Sequence, residues 1–181
     1  MKLIDIIEAP KPSLSFEIFP PKSSAAYESI QKAAEAIAQL SPSYMSVTYG
    51  AGGGTSAYTV SIAAEIQKKF NVPVMAHLSC ISSTREGVRQ QLDAMRQNGI
   101  ENVLALRGDL PSGTLPEPGW DYHYASELVA EIREYGGFCI GGACYPEGHT
   151  ESASQAEDIA NLKKKVEAGC EFLTTQMFFD N

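Results

Sequence analysis

The chain has 181 residues, 44% of them hydrophobic and 20% charged, and carries a formal net charge of −8. Its length and apolar content suit one domain with a buried core and exclude a disordered chain. The excess of acids over bases argues against nucleic acid or an anionic membrane surface as partner, and no apolar run approaches the ~20 residues of a membrane span. Residues Met1–Glu8 place acids where a signal peptide needs its apolar stretch, so a cytoplasmic protein is expected.

The first predicted strand is Leu14–Phe19, followed by Pro20-Pro21-Lys22. Strand alternation sets Ser15, Glu17 and Phe19 on one face, and Leu14, Phe16 and Ile18 on the other. If helices cover the apolar face, Glu17 points inward, where desolvation raises a carboxyl pKa and suits a general acid. Taken alone, the residue equally fits a buried glutamate paired with a cation. Neither Pro20 nor Pro21 can donate to a ladder, so the strand ends there.

A helix with Ile30, Ala34 and Ile37 at helical spacing leads to strand Tyr44–Tyr49 and then to the loop Gly50-Ala51-Gly52-Gly53-Gly54-Thr55-Ser56. The loop lacks the Gly-Lys-Ser/Thr of a P-loop and the third glycine of a dinucleotide fingerprint. It reads as a loop that lets a flat ligand approach the backbone, or as a plain turn capped by Ser56. Ile62, Ile66 and Phe70 mark the next helix, and strand Pro73–Cys80 carries His77. Val88, Leu92 and Met95 mark a third helix, closed by Gly99. Strand Asn102–Leu106 runs into Arg107-Gly108-Asp109, a donor fork and an acceptor that either bracket a ligand or pair to pin the loop.

Leu128, Val129 and Ile132 mark a fourth helix before strand Phe138–Tyr145. Gly141 and Gly142 inside that strand indicate close approach of a backbone or ligand. Ile159, Leu162 and Val166 define a fifth helix that aligns Asp158, Asn161 and Lys165 on one face, read as solvated or as bordering a ribose and pyrophosphate. Gly169 closes it, and strand Glu171–Phe178 carries Gln176 beside aromatics.

These strands start at residues 14, 44, 73, 102, 138 and 171, a βα repeat of about 30 residues that implies parallel strands. Polar groups at the ends of all six favour a (β/α) barrel, whose strand ends face one cavity, over a doubly wound sheet with one switch point. The fold class is α/β, with about six of the eight βα units of a TIM barrel in a single domain spanning residues 1–181. Cys80, Cys139, Cys144 and Cys170 form no Cys-x-x-Cys pair and lie in or beside apolar stretches, as reduced thiols do. Three histidines without a His-Glu-x-x-His pattern give no reason to expect a metal.

Together, Ser15-Phe16-Glu17-Ile18-Phe19-Pro20-Pro21-Lys22, Val47-Thr48-Tyr49-Gly50-Ala51-Gly52, Ala76-His77-Leu78-Ser79-Cys80, Leu106-Arg107-Gly108-Asp109, Tyr145-Pro146-Glu147-x-His149 and Thr175-Gln176-Met177-Phe178-Phe179-Asp180 resemble the methylenetetrahydrofolate reductase family, in its order and over nearly the whole chain. The resemblance implies a flavin-containing barrel that reduces 5,10-methylenetetrahydrofolate to 5-methyltetrahydrofolate. NADH or NADPH reduces FAD, leaves, and the folate takes its place. By matching position, Glu17 is the general acid for opening the folate's five-membered ring, and Asp109 lies by the flavin and hydrogen-bonds the pterin. Gln176 contacts folate. Thr48, Tyr49, Ala51, His77, Arg107, Gly108, Asp109, Ala125, Tyr145, His149, Asp158, Asn161 and Lys165 fall on FAD-lining positions.

Members of that family continue for two further βα units, so this chain is expected to be C-terminally incomplete. The alternative is a non-catalytic flavin- or folate-binding subunit whose partner supplies the missing wall, and a homo-oligomer stays open. A barrel aldolase would need a reactive lysine at an inner strand position, and no convincing one is present.

Overall fold

The predicted βα alternation forms as expected. In the computed structural model, which describes residues 1–21, 24–49, 56–109 and 120–179, six strands make one parallel sheet. They are β1 (Ser15–Ile18), β2 (Tyr44–Val47), β3 (Val74–Ser79), β4 (Asn102–Leu106), β5 (Cys139–Cys144) and β6 (Phe172–Thr175). Helices α2 (Tyr27–Ala38), α3 (Ser56–Phe70), α4 (Arg85–Gln97), α5 (Ala125–Tyr135) and α6 (Gln155–Ala168) connect them. Each strand hydrogen-bonds only its neighbours in sequence, in the order β1 to β6. That is the order of a barrel wall, since a doubly wound sheet reverses direction at a switch point. The observed element is a curled six-stranded half-barrel.

The pleat sorts side chains into two cores. Val47, Ala76, Val103 and Ile140 face outward and pack beneath the helices, with Ile66, Leu92 and Ile132 among the residues that seal them. Burying each such side chain contributes roughly 1.5–3 kcal/mol. The opposite, concave face holds a smaller cluster of Met75, Leu104, Cys139 and Phe172. Beneath it lies α1 (Leu3–Ile7), a short helix that the sequence pattern does not announce. Leu3 is fully buried there, and its amide donates to Asn102 Oδ1 at 2.7 Å. Asn102 Nδ2 in turn donates to the Met1 and Val74 carbonyls, so the floor of the half-barrel is both apolar and hydrogen-bonded.

Helix ends follow local chemistry. Thr84 and Ser154 accept from the amides of Gly87 and Glu157 at the starts of α4 and α6. Glu127 reaches back from α5 to accept from the amides of His123 and Tyr124. Gly99 and Gly169 have φ of 73° and 130°, as expected for glycines that end helices. The proposed Ser56 cap and the loop 50–55, Ala51 included, lie outside what the structure describes.

The glycines of β5 correct an expectation. Side chains, not another backbone, lie beside them. A Cβ on Gly141 would lie 2.5 Å from the Phe172 ring, and one on Gly142 would lie 2.8 Å from the Lys165 stem. The missing side chains make room for residues of β6 and α6.

Candidate functional site

At the C-terminal ends of β3, β4 and β5 lies a cleft of about 680 Å³, walled on its far side by α5 and α6. Tyr49 comes from the end of β2, and Arg107, Gly108 and Asp109 come from the end of β4. Ala125 enters at the first turn of α5, while Tyr145 and His149 enter from the turn after β5. Asp158, Asn161 and Lys165 line it from α6, so the polar row predicted on that helix faces the cleft. Ten residues singled out in the sequence therefore share one cavity.

The β4 end is held rigidly. Ser79 Oγ donates to the Arg107 carbonyl at 2.8 Å, and the Ile81 amide donates to the same oxygen at 2.7 Å. Gly108 has φ of 88°, and a Cβ there would lie 2.2 Å from Ser79 Oγ, so this turn requires glycine. The Arg107 fork does not pair with Asp109. Its two Nη atoms donate to the two carboxylate oxygens of Glu151, each at 2.6 Å. This pair holds the Glu151 carboxyl below its usual range. Glu151 was not among the residues picked out from sequence; its only signal was an acid following His149 in the loop before α6.

On α6, Lys165 Nζ donates to the Ala143 carbonyl at 2.5 Å, and burial holds its pKa below the usual lysine value. Ser152 Oγ donates to Asp158 Oδ1 at 3.1 Å. The Tyr145 and His149 rings meet edge to face with centroids 4.9 Å apart. The rim thus presents carboxylate and amide groups suited to a diol, a guanidinium suited to a phosphate, and ring faces suited to a flat heterocycle.

A second group sits on the concave face beside the cleft. Glu17 is 44% exposed by side chain, more open than a glutamate buried in a barrel. Ser46 Oγ donates to Glu17 Oε2 at 3.4 Å, and His77 Nε2 lies 3.4 Å from that same oxygen. His77 is buried, and its Nε2 makes no hydrogen bond among the described residues. Desolvation raises the Glu17 carboxyl against the lowering effect of Ser46, and it lowers His77 to about 4, so the imidazole is neutral. A carboxyl shifted toward its protonated form next to an uncharged imidazole is arranged to donate a proton and is not an ion pair.

Two predicted residues stand apart from the cleft lining. The Thr48 carbonyl accepts from Thr59 Oγ1 at 2.9 Å. Gln176 lies beyond the end of β6, not within it, is exposed, and donates its backbone N–H to the Cys144 carbonyl. All four cysteines are free; Cys80, Cys139 and Cys170 are buried, and burial raises the thiols of Cys80 and Cys170 to about 12 and about 11. No helix among the described residues is long and apolar enough to cross a membrane.

An all-parallel βα half-barrel with a mixed polar cleft at its strand ends defines an α/β protein of the barrel type with a candidate ligand site. A family model described as methylenetetrahydrofolate reductase matches residues 2–181, and the chain belongs to the methylenetetrahydrofolate reductase family. It is 39% identical over 168 residues to 5,10-methylenetetrahydrofolate reductase of Escherichia coli (strain K12), covering 93% of this chain and 55% of that protein. It is 35% identical over 199 residues to methylenetetrahydrofolate reductase (NADH) 1 of Arabidopsis thaliana, covering 99% of this chain and 33% of that protein. The chain thus spans about half the length of the bacterial relative. Among solved structures, phosphoenolpyruvate phosphomutase from Streptomyces platensis subsp. rosaceus aligns with TM-score 0.63 at 12% identity, over 96% of this chain and 62% of that one. At that identity the likeness concerns the fold alone.

Proposed function

We propose that the chain forms the larger part of an eight-stranded (β/α) barrel that reduces 5,10-methylenetetrahydrofolate to 5-methyltetrahydrofolate with NADH or NADPH through bound FAD. The observation that carries this reading is the convergence of Arg107, Asp109, Tyr145, His149, Asp158, Asn161 and Lys165 on one cleft, with Glu17 and His77 on the adjoining concave face. Family membership and the 39% identity to the bacterial reductase support it.

The donor set fits FAD. Asp158 and Asn161 suit the ribose hydroxyls, and Arg107 suits a phosphate. The buried, unpartnered Nε2 of His77 is a polar atom that a bound heterocycle would satisfy. FAD, when bound, supplies the hydride relay between NADH or NADPH and the folate. The chain's own residues supply the rest. Glu17, whose carboxyl desolvation shifts toward the protonated form, is placed to deliver a proton to the folate ring nitrogen that departs. Asp109 accepts from the pterin, and Gln176 offers an amide that pairs with a pterin or nicotinamide edge. Two further βα units would join β6 to β1 and complete the folate site.

The test is spectroscopic. Purified protein supplemented with FAD is expected to be yellow, to bleach with NADH or NADPH, and to recover colour with methylenetetrahydrofolate. Protein that stays colourless after FAD supplementation refutes the reading.

A further inference from the structure

We propose that Glu151 is an exchangeable occupant of the Arg107 fork, held where a phosphate of the dinucleotide binds, and that it sets the phosphate affinity of the cleft. The inference rests on the FAD reading above and adds to it a residue that competes with the ligand.

Three observations converge. First, the pair is complete: both Arg107 Nη atoms meet both Glu151 oxygens at 2.6 Å, and Arg107 Nε donates to the Gly108 carbonyl at 3.2 Å. A carboxylate and a phosphate present the same pair of oxygens to a guanidinium, so one replaces the other without moving the arginine. Second, the two partners differ in freedom. The Arg107 side chain is 20% exposed at the end of a strand, whereas that of Glu151 is 52% exposed on the loop between β5 and α6. The Glu151 amide donates to His149 Nδ1 at 3.1 Å, a bond within the loop that does not involve the Glu151 side chain. That half-exposed side chain can therefore swing into water.

Third, the remaining cations of the cleft are engaged. Among the described residues, four carboxylates and three cations line it. Lys165 Nζ donates to the Ala143 carbonyl and Lys164 Nζ to Asn161 Oδ1. Arg107 alone offers a planar two-donor fork, and Glu151 holds it. Glu151 is the half-exposed partner, so water competes for its carboxylate and a dinucleotide phosphate can take its place on the fork. Glu151 then acts as a threshold: a ligand without a phosphate gains nothing at Arg107.

The experiment titrates FAD, and riboflavin as the phosphate-free probe, into the full 181-residue chain and follows flavin fluorescence. Four proteins are compared: unaltered, Glu151→Gln, Arg107→Ala and the double variant, each checked for folding by circular dichroism. Glu151→Gln is expected to tighten FAD roughly three- to tenfold and leave riboflavin unchanged. Arg107→Ala is expected to weaken FAD, and adding Glu151→Gln to it should then give no gain. Unchanged or weaker FAD binding by Glu151→Gln overturns the proposal, and so does an equal gain for riboflavin or in the Arg107→Ala background. If Glu151→Gln fails to fold, Glu151→Ala is read in the same way. Absence of FAD binding by all four proteins overturns the FAD reading itself, and this inference with it.

Discussion

The Glu17 carboxylate on β1 stands 3.4 Å from Nε2 of His77 on β3, reaching across the strand between them. Burial acts on the two groups in opposite directions, raising the acid and lowering the base, so that both favour their uncharged forms. Ser46, on the intervening strand, donates the one hydrogen bond that opposes this for Glu17.

Ser46→Ala removes that opposition, and the Glu17 pKa rises further. The proton-donating fraction falls as pH rises through the folded pKa, so the alkaline limb of folate reduction is expected to move to higher pH in Ser46→Ala. Glu17→Gln should abolish folate reduction while flavin reduction by NADH or NADPH survives. Stopped-flow measurement of the two half-reactions checks both. Equal loss of both steps in Glu17→Gln would remove the acid role.

His77 links stability to pH. Its folded pKa is about 4 against an ordinary value of 6.5. Between those values the unfolded state binds more protons, so stability rises with pH there. The contribution is fully present above pH 6.5 and is lost as pH falls towards 4. It amounts to at most about 3 kcal/mol. His77→Gln should flatten that dependence in urea melts at a series of pH values, and an unchanged slope would show that His77 does not set it.

Gly141→Ala drives a methyl to within 2.5 Å of the Phe172 ring. The clash lies in packed sheet, so a destabilisation of about 1–3 kcal/mol is expected by chemical denaturation. Phe172→Leu in the same chain should recover part of it. Full stability of Gly141→Ala alone would contradict the packing described for β5 and β6.

Among the described residues, the two outer strands have no neighbour on one side. Beside β6, Leu173, Met177, Phe178 and Phe179 are exposed, as are Ile159 and Val166 on α6. An unprotected edge with this much apolar surface invites pairing between copies. Residues 1–181 alone should therefore self-associate with rising concentration in size-exclusion chromatography with light scattering. Leu173→Lys should reduce that association, and a strictly monomeric chain at high concentration would argue that the edge is protected.

Much of the fold was legible because a βα repeat writes its period twice, once in the apolar runs and once in the helical stripes. The strands shifted only at their ends, where Thr48, Tyr49 and Gln176 lie just beyond the last ladder residue. Helix α1 was not legible, since five residues with an acid among them give too little periodicity; its burial depends on Asn102, about a hundred residues away. The polar row of α6 was legible as a row, but only the sheet beneath could tell which way it faced. Glu151 was invisible for a similar reason. Its meaning lies in an arginine 44 positions earlier, brought opposite by two adjacent parallel strands.

Among the described residues, strand β6 is hydrogen-bonded on one side only, a condition in which a strand readily slides by a residue or two. The Phe172 ring, seated in the notch that Gly141 leaves, works as an index pin against that slide. Moved by one residue, β6 would offer Leu173 to the concave face and turn the ring outward; moved by two, the ring would meet Cys139 or Ala143, neither of which leaves a notch. What the pin fixes is not only packing. Gln176 follows Phe172 by four residues, so the absence of one side chain on β5 determines where an amide arrives at the mouth of the half-barrel.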